Sequence, residues 1–200
     1  MKELKETKDM IGAIETEDGI NIGVDIDGTL TKENINLEML SRDPKEVEKI
    51  MSNFTPKDGI DILLDTTHNI YPVTGRQERY REVTIDWLDA YGIPYIDITM
   101  FPNDFYIKNG YDMPKYVGLK LDIHIRKNLH ISLDDNEQVV NIFNKFGIPT
   151  CKVDNNFRDA FERVLKLRKG RDYKGRDYKD RDYKDRDKDV DINKDNRRSK

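Results

Sequence analysis

The residues of this chain best suited to chemistry are carboxylates that come in pairs. Asp25 and Asp27 stand one residue apart, ahead of Gly28 and Thr29 and directly after the run Ile20-Asn21-Ile22-Gly23-Val24. Alternate side chains of an extended strand share a face, so both carboxylates can enter one crevice. Such a pair suits a divalent cation together with an acid–base couple. Gly28 lets the chain turn sharply with its backbone close to a ligand. A second pair, Asp134 and Asp135, closes the run Leu129-His130-Ile131-Ser132-Leu133. Between the pairs lie Val73-Thr74-Gly75-Arg76 and Lys120. A hydroxyl, an amide beside glycine and the start of a helix make a phosphate cradle. Lys120, expected on a turn feeding the helix before Leu129, supplies a cation for a phosphoryl group in transfer. Arg76, Arg79 and Arg81 are either clamps on a substrate phosphate or solvated cations of a helix surface.

These groups converge only if strands bring them to one edge, and the pattern provides the strands. Ile70–Thr74, Tyr95–Thr99, Leu129–Leu133 and Pro149–Val153 read as strands beside Ile20–Val24. Helices are expected over Glu78–Tyr91, Tyr116–Lys127, Glu137–Phe146 and Phe157–Leu167. Thr55-Pro56 is expected to open another, with Ile60, Leu63 and Leu64 facing inward. Strands alternating with helices predict an α/β domain, a parallel sheet covered on both faces. Ligands in such sheets bind at the carboxyl ends of the strands. Residues from about 32 to 54 read as short helices inserted after the first acidic pair.

Composition sets the remaining bounds. Two hundred residues suffice for one domain, and the formal net charge of −4 advertises neither a nucleic-acid nor a membrane partner. The single cysteine, Cys151, excludes an intrachain disulfide and fits a reducing, cytoplasmic setting. Met1–Lys8 lacks an apolar stretch of the secretory kind, and no apolar run is long enough to span a membrane. Residues 1–169 are expected to form the domain. From Gly170 the chain repeats Arg-Asp-Tyr-Lys and then turns wholly charged, so residues 170–200 are expected to be a disordered tail. Oligomeric state is not readable from the sequence.

The motifs and their order resemble the haloacid dehalogenase (HAD) superfamily: Asp25-Ile26-Asp27-Gly28-Thr29-Leu30, then Thr74, Lys120, and Asp134-Asp135. A closer likeness lies in Thr74-Gly75-Arg76-Gln77-Glu78-Arg79, Gly92-Ile93-Pro94, Met100-Phe101-Pro102 and Asp134-Asp135-Asn136-Glu137. These resemble the phosphatase half of phage-type polynucleotide kinase-phosphatases, and also small HAD nucleotidases. Phe101 departs from that family, which commonly has Arg after the Met. No Gly-x-x-x-x-Gly-Lys-Ser/Thr run of a kinase half occurs.

The resemblance implies a Rossmann-like HAD fold with a small helical cap at about residues 32–54. It implies a Mg²⁺-dependent phosphatase in which Asp25 is the nucleophile and Asp27 the general acid and base. Mg²⁺ is implied on Asp25, the carbonyl of Asp27 and Asp135, with Asp134 as direct or water-mediated ligand. Thr74, Gly75, Arg76 and Lys120 are implied at the phosphate. The expected partner is a phosphorylated small molecule or nucleic-acid end as substrate, foremost nucleotides or polynucleotide 3′ ends; the alternatives are a 5′(3′)-deoxyribonucleotidase, a small-metabolite phosphatase, or a catalytically silent HAD-fold binding module.

Overall fold

A computed structural model describes residues 19–170. The expectations for Met1–Lys8 and for the tail from residue 171 lie outside these described residues. Five strands, β1 (Asn21–Val24), β2 (Asn69–Gln77), β3 (Thr99–Phe101), β4 (Ile131–Asp134) and β5 (Thr150–Lys152), form one sheet in the order β3-β2-β1-β4-β5. Every pairing is parallel. This is the α/β, Rossmann-like arrangement expected from the alternating pattern.

Register positions the chemistry. Ile22 lies beside Ile70 on one flank and Ile131 on the other, and Val24 lies beside both Pro72 and Leu133. The chain therefore leaves β1 and β4 at the same level, and the Asp25 amide still donates to the Leu133 carbonyl at 2.9 Å. Asp25 and Asp134 are neighbours because their strands end together.

The helices are α1 (Leu37–Leu40), α2 (Pro44–Met51), α3 (Arg81–Ala90), α4 (Phe105–Asn109), α5 (Met113–Arg126), α6 (Glu137–Lys145) and α7 (Phe157–Gly170). One core joins Ile22, Val24, Ile131 and Leu133 to Met51, Trp87, Leu88 and the inner residues of α7, Phe157, Phe161 and Val164. Separate cores hold Val73, Phe101, Phe105 and Ile123, and then Val117, Leu121, Val139 and Phe143. Burial of this apolar area, worth roughly 25 cal/mol per Å², is what fixes the strand tips in space.

Five local expectations are corrected. Thr55-Pro56 opens no helix: Pro56 pairs with Thr31 in an isolated antiparallel bridge, and a single 3₁₀ turn follows at Ile60–Leu63. Gly59, at φ 84°, breaks the intervening backbone, so Ile60 and Leu63 are buried while Leu64 is 54% exposed. The strand expected at Tyr95–Thr99 occupies Thr99–Phe101, because β2 first comes into register with it at Val73. Helix α5 begins at Met113, earlier than Tyr116, since the Asp112 side chain caps the Lys115 amide and Pro114 suits a first turn. Lys120 consequently sits in mid-helix and not on a turn.

Candidate active site

Beyond β1 the Ile26 carbonyl accepts bonds from the amides of Thr29, Leu30 and Thr31, curling the chain into a tight loop. Gly28 holds φ 77°, and a Cβ there would run into Asp135 Oδ2 and the Asn34 amide. Glycine is thus required twice, for the left-handed backbone and for the close approach. The loop ends against Glu33, whose carboxylate accepts from the Thr55 amide at 2.8 Å and its hydroxyl at 2.7 Å. That contact pins together the two ends of the inserted segment carrying α1 and α2.

Asp25 lies at the centre, 5% exposed. Lys120 Nζ reaches it from α5 at 2.7 Å and bonds Asp134 Oδ2 at 2.8 Å. The Asp134 Oδ1 accepts from the Asn136 amide at 2.9 Å, and Asn34 donates to Asp135 Oδ2 at 3.2 Å. Oxygens of Asp25, Asp134 and Asp135 all lie within 4.8 Å of one another. Burial, and then the crowd of Asp134, Asp135 and Asp27 against the opposing pull of Lys120, holds the Asp25 carboxyl well above the usual range. Burial acts against the Lys120 ammonium, but Asp134 and Asp25 outweigh it and keep its pKa well above that of an ordinary lysine. Asp135 is pushed up by burial and by Asp134.

The charge count tests the fit of a metal. With all three carboxyl groups ionised, one ammonium faces them and two negative charges are left without a partner among these groups, the same excess that pushes Asp25 and Asp135 upward. Buried charge needs compensation. Oxygen donors of this kind, with a double charge missing, suit a hard divalent cation.

Asp27 is not one of that cluster, and its carboxylate is held by Arg76. Arg76 Nη2 bonds its Oδ1 at 2.7 Å, and Arg76 Nε lies 3.0 and 3.1 Å from its two oxygens. Arg76 is itself buried, with Nη1 on Thr84 Oγ1 at 3.0 Å and its guanidinium 5.6 Å from the Phe54 ring centroid. It is neither a solvated helix cation nor a free clamp; burial by α3 and Phe54 commits its donors to Asp27 and Thr84. Arg79 Nη2 donates to the Asn103 carbonyl at 3.1 Å, and Arg81 pairs with Glu78, so both are engaged on the surface.

Thr74 and Gly75 also stand differently from the expected cradle. Strand β2 runs on to Gln77, and α3 starts only at Arg81, so no helix N-terminus opens at Gly75. Thr74 is buried, accepting from the Arg76 amide at 3.1 Å and lying 3.4 Å from Asp27 Oδ2. Thr74 and Lys120 therefore lie beneath the floor of the cleft, while Asp25, Asp27, Gly75 and Asp135 line it. The cleft holds about 270 Å³. Its walls include Asn34 and Ile35 from the insertion, and also Tyr106, Tyr111 and Tyr116, none of which was expected from the sequence. Tyrosines five residues apart are the one trace they leave, and no helical or strand period fits that spacing.

Strand tips that gather a buried carboxylate and an acidic pair around a helix-borne lysine, on a Rossmann-like sheet, fit a HAD-type phosphatase. Residues 21–157 match the family described as the polynucleotide kinase PNKP phosphatase domain, and the chain belongs to that family. Two solved structures, a Pnkp1/Rnl/Hen1 RNA repair complex and a second Pnkp1/Rnl/Hen1 complex, contain chains of similar fold. Each superposes with a TM-score of 0.51 at 22% identity over 71% of this chain. The match covers 44% and 47% of those chains, so this chain spans less than half their length. No curated protein matches the sequence significantly. No described helix is long and apolar enough to cross a membrane.

Proposed function

We propose that the chain is a Mg²⁺-dependent phosphomonoesterase that works through an aspartyl-phosphate on Asp25 and acts on nucleotides or polynucleotide 3′ ends. One observation carries this reading: Asp25, Asp134 and Asp135 meet within 4.8 Å, with the Lys120 ammonium 2.7 Å from Asp25. A silent binding module has no need of so costly a cluster of buried like charges.

The residues act in a simple order. An Asp25 oxygen attacks phosphorus in line, a P–O bond to Asp25 forms, and the ester P–O bond breaks. Asp27 gives its proton to the departing alkoxide. A water then attacks the phosphorus of the acyl phosphate, Asp27 takes the proton from that water, and inorganic phosphate leaves with Asp25 restored. Arg76 and Thr74 hold Asp27 for both transfers. Lys120, fixed between Asp25 and Asp134, keeps the nucleophile oriented and offers positive charge to the phosphoryl group. Mg²⁺ would be held by Asp25 and Asp135 with the Asp27 carbonyl, and it supplies charge neutralisation at the phosphoryl oxygens. Asp135 is the freer of its pair, because both Asp134 oxygens already accept bonds from Lys120 and Asn136.

The inserted segment of about residues 32–54 serves as the small cap and covers the cleft from one side. The test is hydrolysis of an aryl phosphate with Mg²⁺ by wild type and Asp25→Asn. Turnover in the first and none in the second, with unchanged circular dichroism, is expected. Equal rates would remove Asp25 as nucleophile.

A further inference from the structure

The floor of the cleft deals with phosphate; its mouth is built from something else. A ladder of rings climbs from the core to the opening. Phe101, fully buried, stacks on Tyr106 with centroids 6.5 Å apart and planes at 27°. Tyr106 stacks on Tyr111 at 6.2 Å and 8°. Tyr116 braces Tyr111 at 6.0 Å and lies against Phe101 at 5.1 Å. The lower rungs are committed: Tyr106 donates to the Gly75 carbonyl at 2.9 Å, and Tyr116 lies beside the Lys120 ammonium. Tyr111 alone of these rings is largely open, 47% exposed, and it lines the cleft. A ring already held in place stacks on a ligand at little cost in conformational entropy.

Among the described residues the mouth is also poor in positive charge: Arg76 is the one cation of those lining the cleft, and its donors are engaged with Asp27 and Thr84. Lys108 and Lys115, which flank Tyr111 in the chain, are paired with Asp104 and Asp112. The insertion adds the apolar side chains of Ile35 and Leu40 to the lining, with the uncharged Asn34 and Asn36 beside them. Such walls suit a flat, uncharged group and do not track a phosphate backbone.

We propose that Tyr111 is the stacking face for the base of the nucleotide that carries the scissile phosphate, so that selectivity resides in this terminal nucleoside and not along a polynucleotide backbone. This inference rests on the phosphatase reading and names the substrate class for it.

The test pairs kinetics with binding, using the full chain. Thymidine 3′-monophosphate and the aliphatic ester glycerol 2-phosphate are compared as substrates for wild type, Tyr111→Ala and Tyr111→Phe. Stacking on an aromatic side chain is worth enough that Tyr111→Ala raises KM for the nucleotide about 10-fold, with kcat and both constants for the glycerol ester within about 2-fold. Tyr111→Phe, which keeps the ring, stays close to wild type. A 3′-phosphorylated oligonucleotide is turned over about as efficiently as the mononucleotide, with little loss between about 50 and 200 mM salt. An unchanged nucleotide KM in Tyr111→Ala, an equal rise for both substrates, or a steep salt dependence overturns the proposal. Calorimetric titration of the same nucleotide into Asp25→Asn, with and without Tyr111→Ala, reads stacking without turnover. Tyr111-dependent binding alongside an inactive wild type would sink the phosphatase reading and keep the stacking site; binding that ignores Tyr111 sinks the site alone.

Discussion

Arg76 grips Asp27 through two nitrogens, with Nη2 at 2.7 Å and Nε at 3.0 Å from the same carboxylate oxygen. The contact joins the loop after β1 to the far end of β2, and its guanidinium is anchored in turn by Thr84 of α3. Because the arginine side chain has no exposure, its geometry is set by packing, and the carboxylate has a fixed position at the edge of the cleft.

Replacing this fork should therefore act through Asp27. Arg76→Lys removes the paired donors, since an ammonium cannot reproduce a planar guanidinium. A kcat loss of roughly 10- to 100-fold is expected for an alkyl phosphate, part of what a placed acid–base group contributes. An aryl phosphate with an acidic phenol as leaving group needs less protonation and should lose far less. Equal losses for the two esters would show that Arg76 serves the phosphate and not Asp27.

Lys120 offers a stability test. Both carboxylates it bonds are buried, so Lys120→Met strands two negative charges in the interior. Breaking a buried pair in this way costs about 3–5 kcal/mol. In a domain of this size that is a fall in Tm of roughly 6–20 °C, measured by circular dichroism without added metal. Divalent cation should return part of it, since it restores positive charge to the same oxygens. A Tm within a few degrees of wild type would mean that the Lys120 ammonium is not what compensates these buried carboxyl groups.

The backbone is legible in the sequence, and through it the meeting of strand tips. A β-branched run ending in Asp announces a parallel strand with a loop beyond it, so the approach of Asp25 to Asp134 follows from the pattern of residues alone. Side-chain direction does not. Arg76 is buried by Thr84 and Phe54, residues close to it only after folding, and a local pattern contains no trace of them. Thr74 turns toward Asp27 for the same reason. The ring ladder leaves no periodic signal because Tyr106, Tyr111 and Tyr116 come from two helices and the turn between them. Leu64 goes the other way: its apolar character argues for the core, but the αL turn at Gly59 and the Thr31–Pro56 bridge leave no helix to carry it inward.

Metal binding should show as stabilisation. A ligand that binds only the folded state at about 100 times its Kd adds about 2.7 kcal/mol. Titration with Mg²⁺ should therefore raise Tm by roughly 5–10 °C. Asp135→Asn, which removes the least committed carboxylate of the cluster, should flatten that response. A full response in Asp135→Asn would place the cation on other oxygens.

His124 provides a prediction in pH. It is fully buried on α5, one turn beyond Lys120, with its ring edge-on to Phe143. The Lys120 carbonyl, 2.9 Å away, can only accept, so Nδ1 carries the hydrogen, and Nε2 at 3.0 Å accepts from the Ser132 hydroxyl. The ring is therefore neutral and bridges the helix of Lys120 to the strand of Asp134. Burial is the main cause that pushes its pKa down from 6.5 to about 3. The unfolded chain thus takes up this proton first: the stability is complete above pH 6.5 and is lost as pH falls toward 3. The slope is up to ~1.4 kcal/mol per pH unit, or about 2 kcal/mol between pH 7 and pH 5. His130, half-buried and lowered in the same sense, adds to the total, so the measurement is a difference. Urea unfolding of wild type and His124→Gln at several pH values should give a shallower acid slope for the variant by about that amount. Parallel slopes would mean that the folded protein accommodates an imidazolium between Lys120 and Ser132.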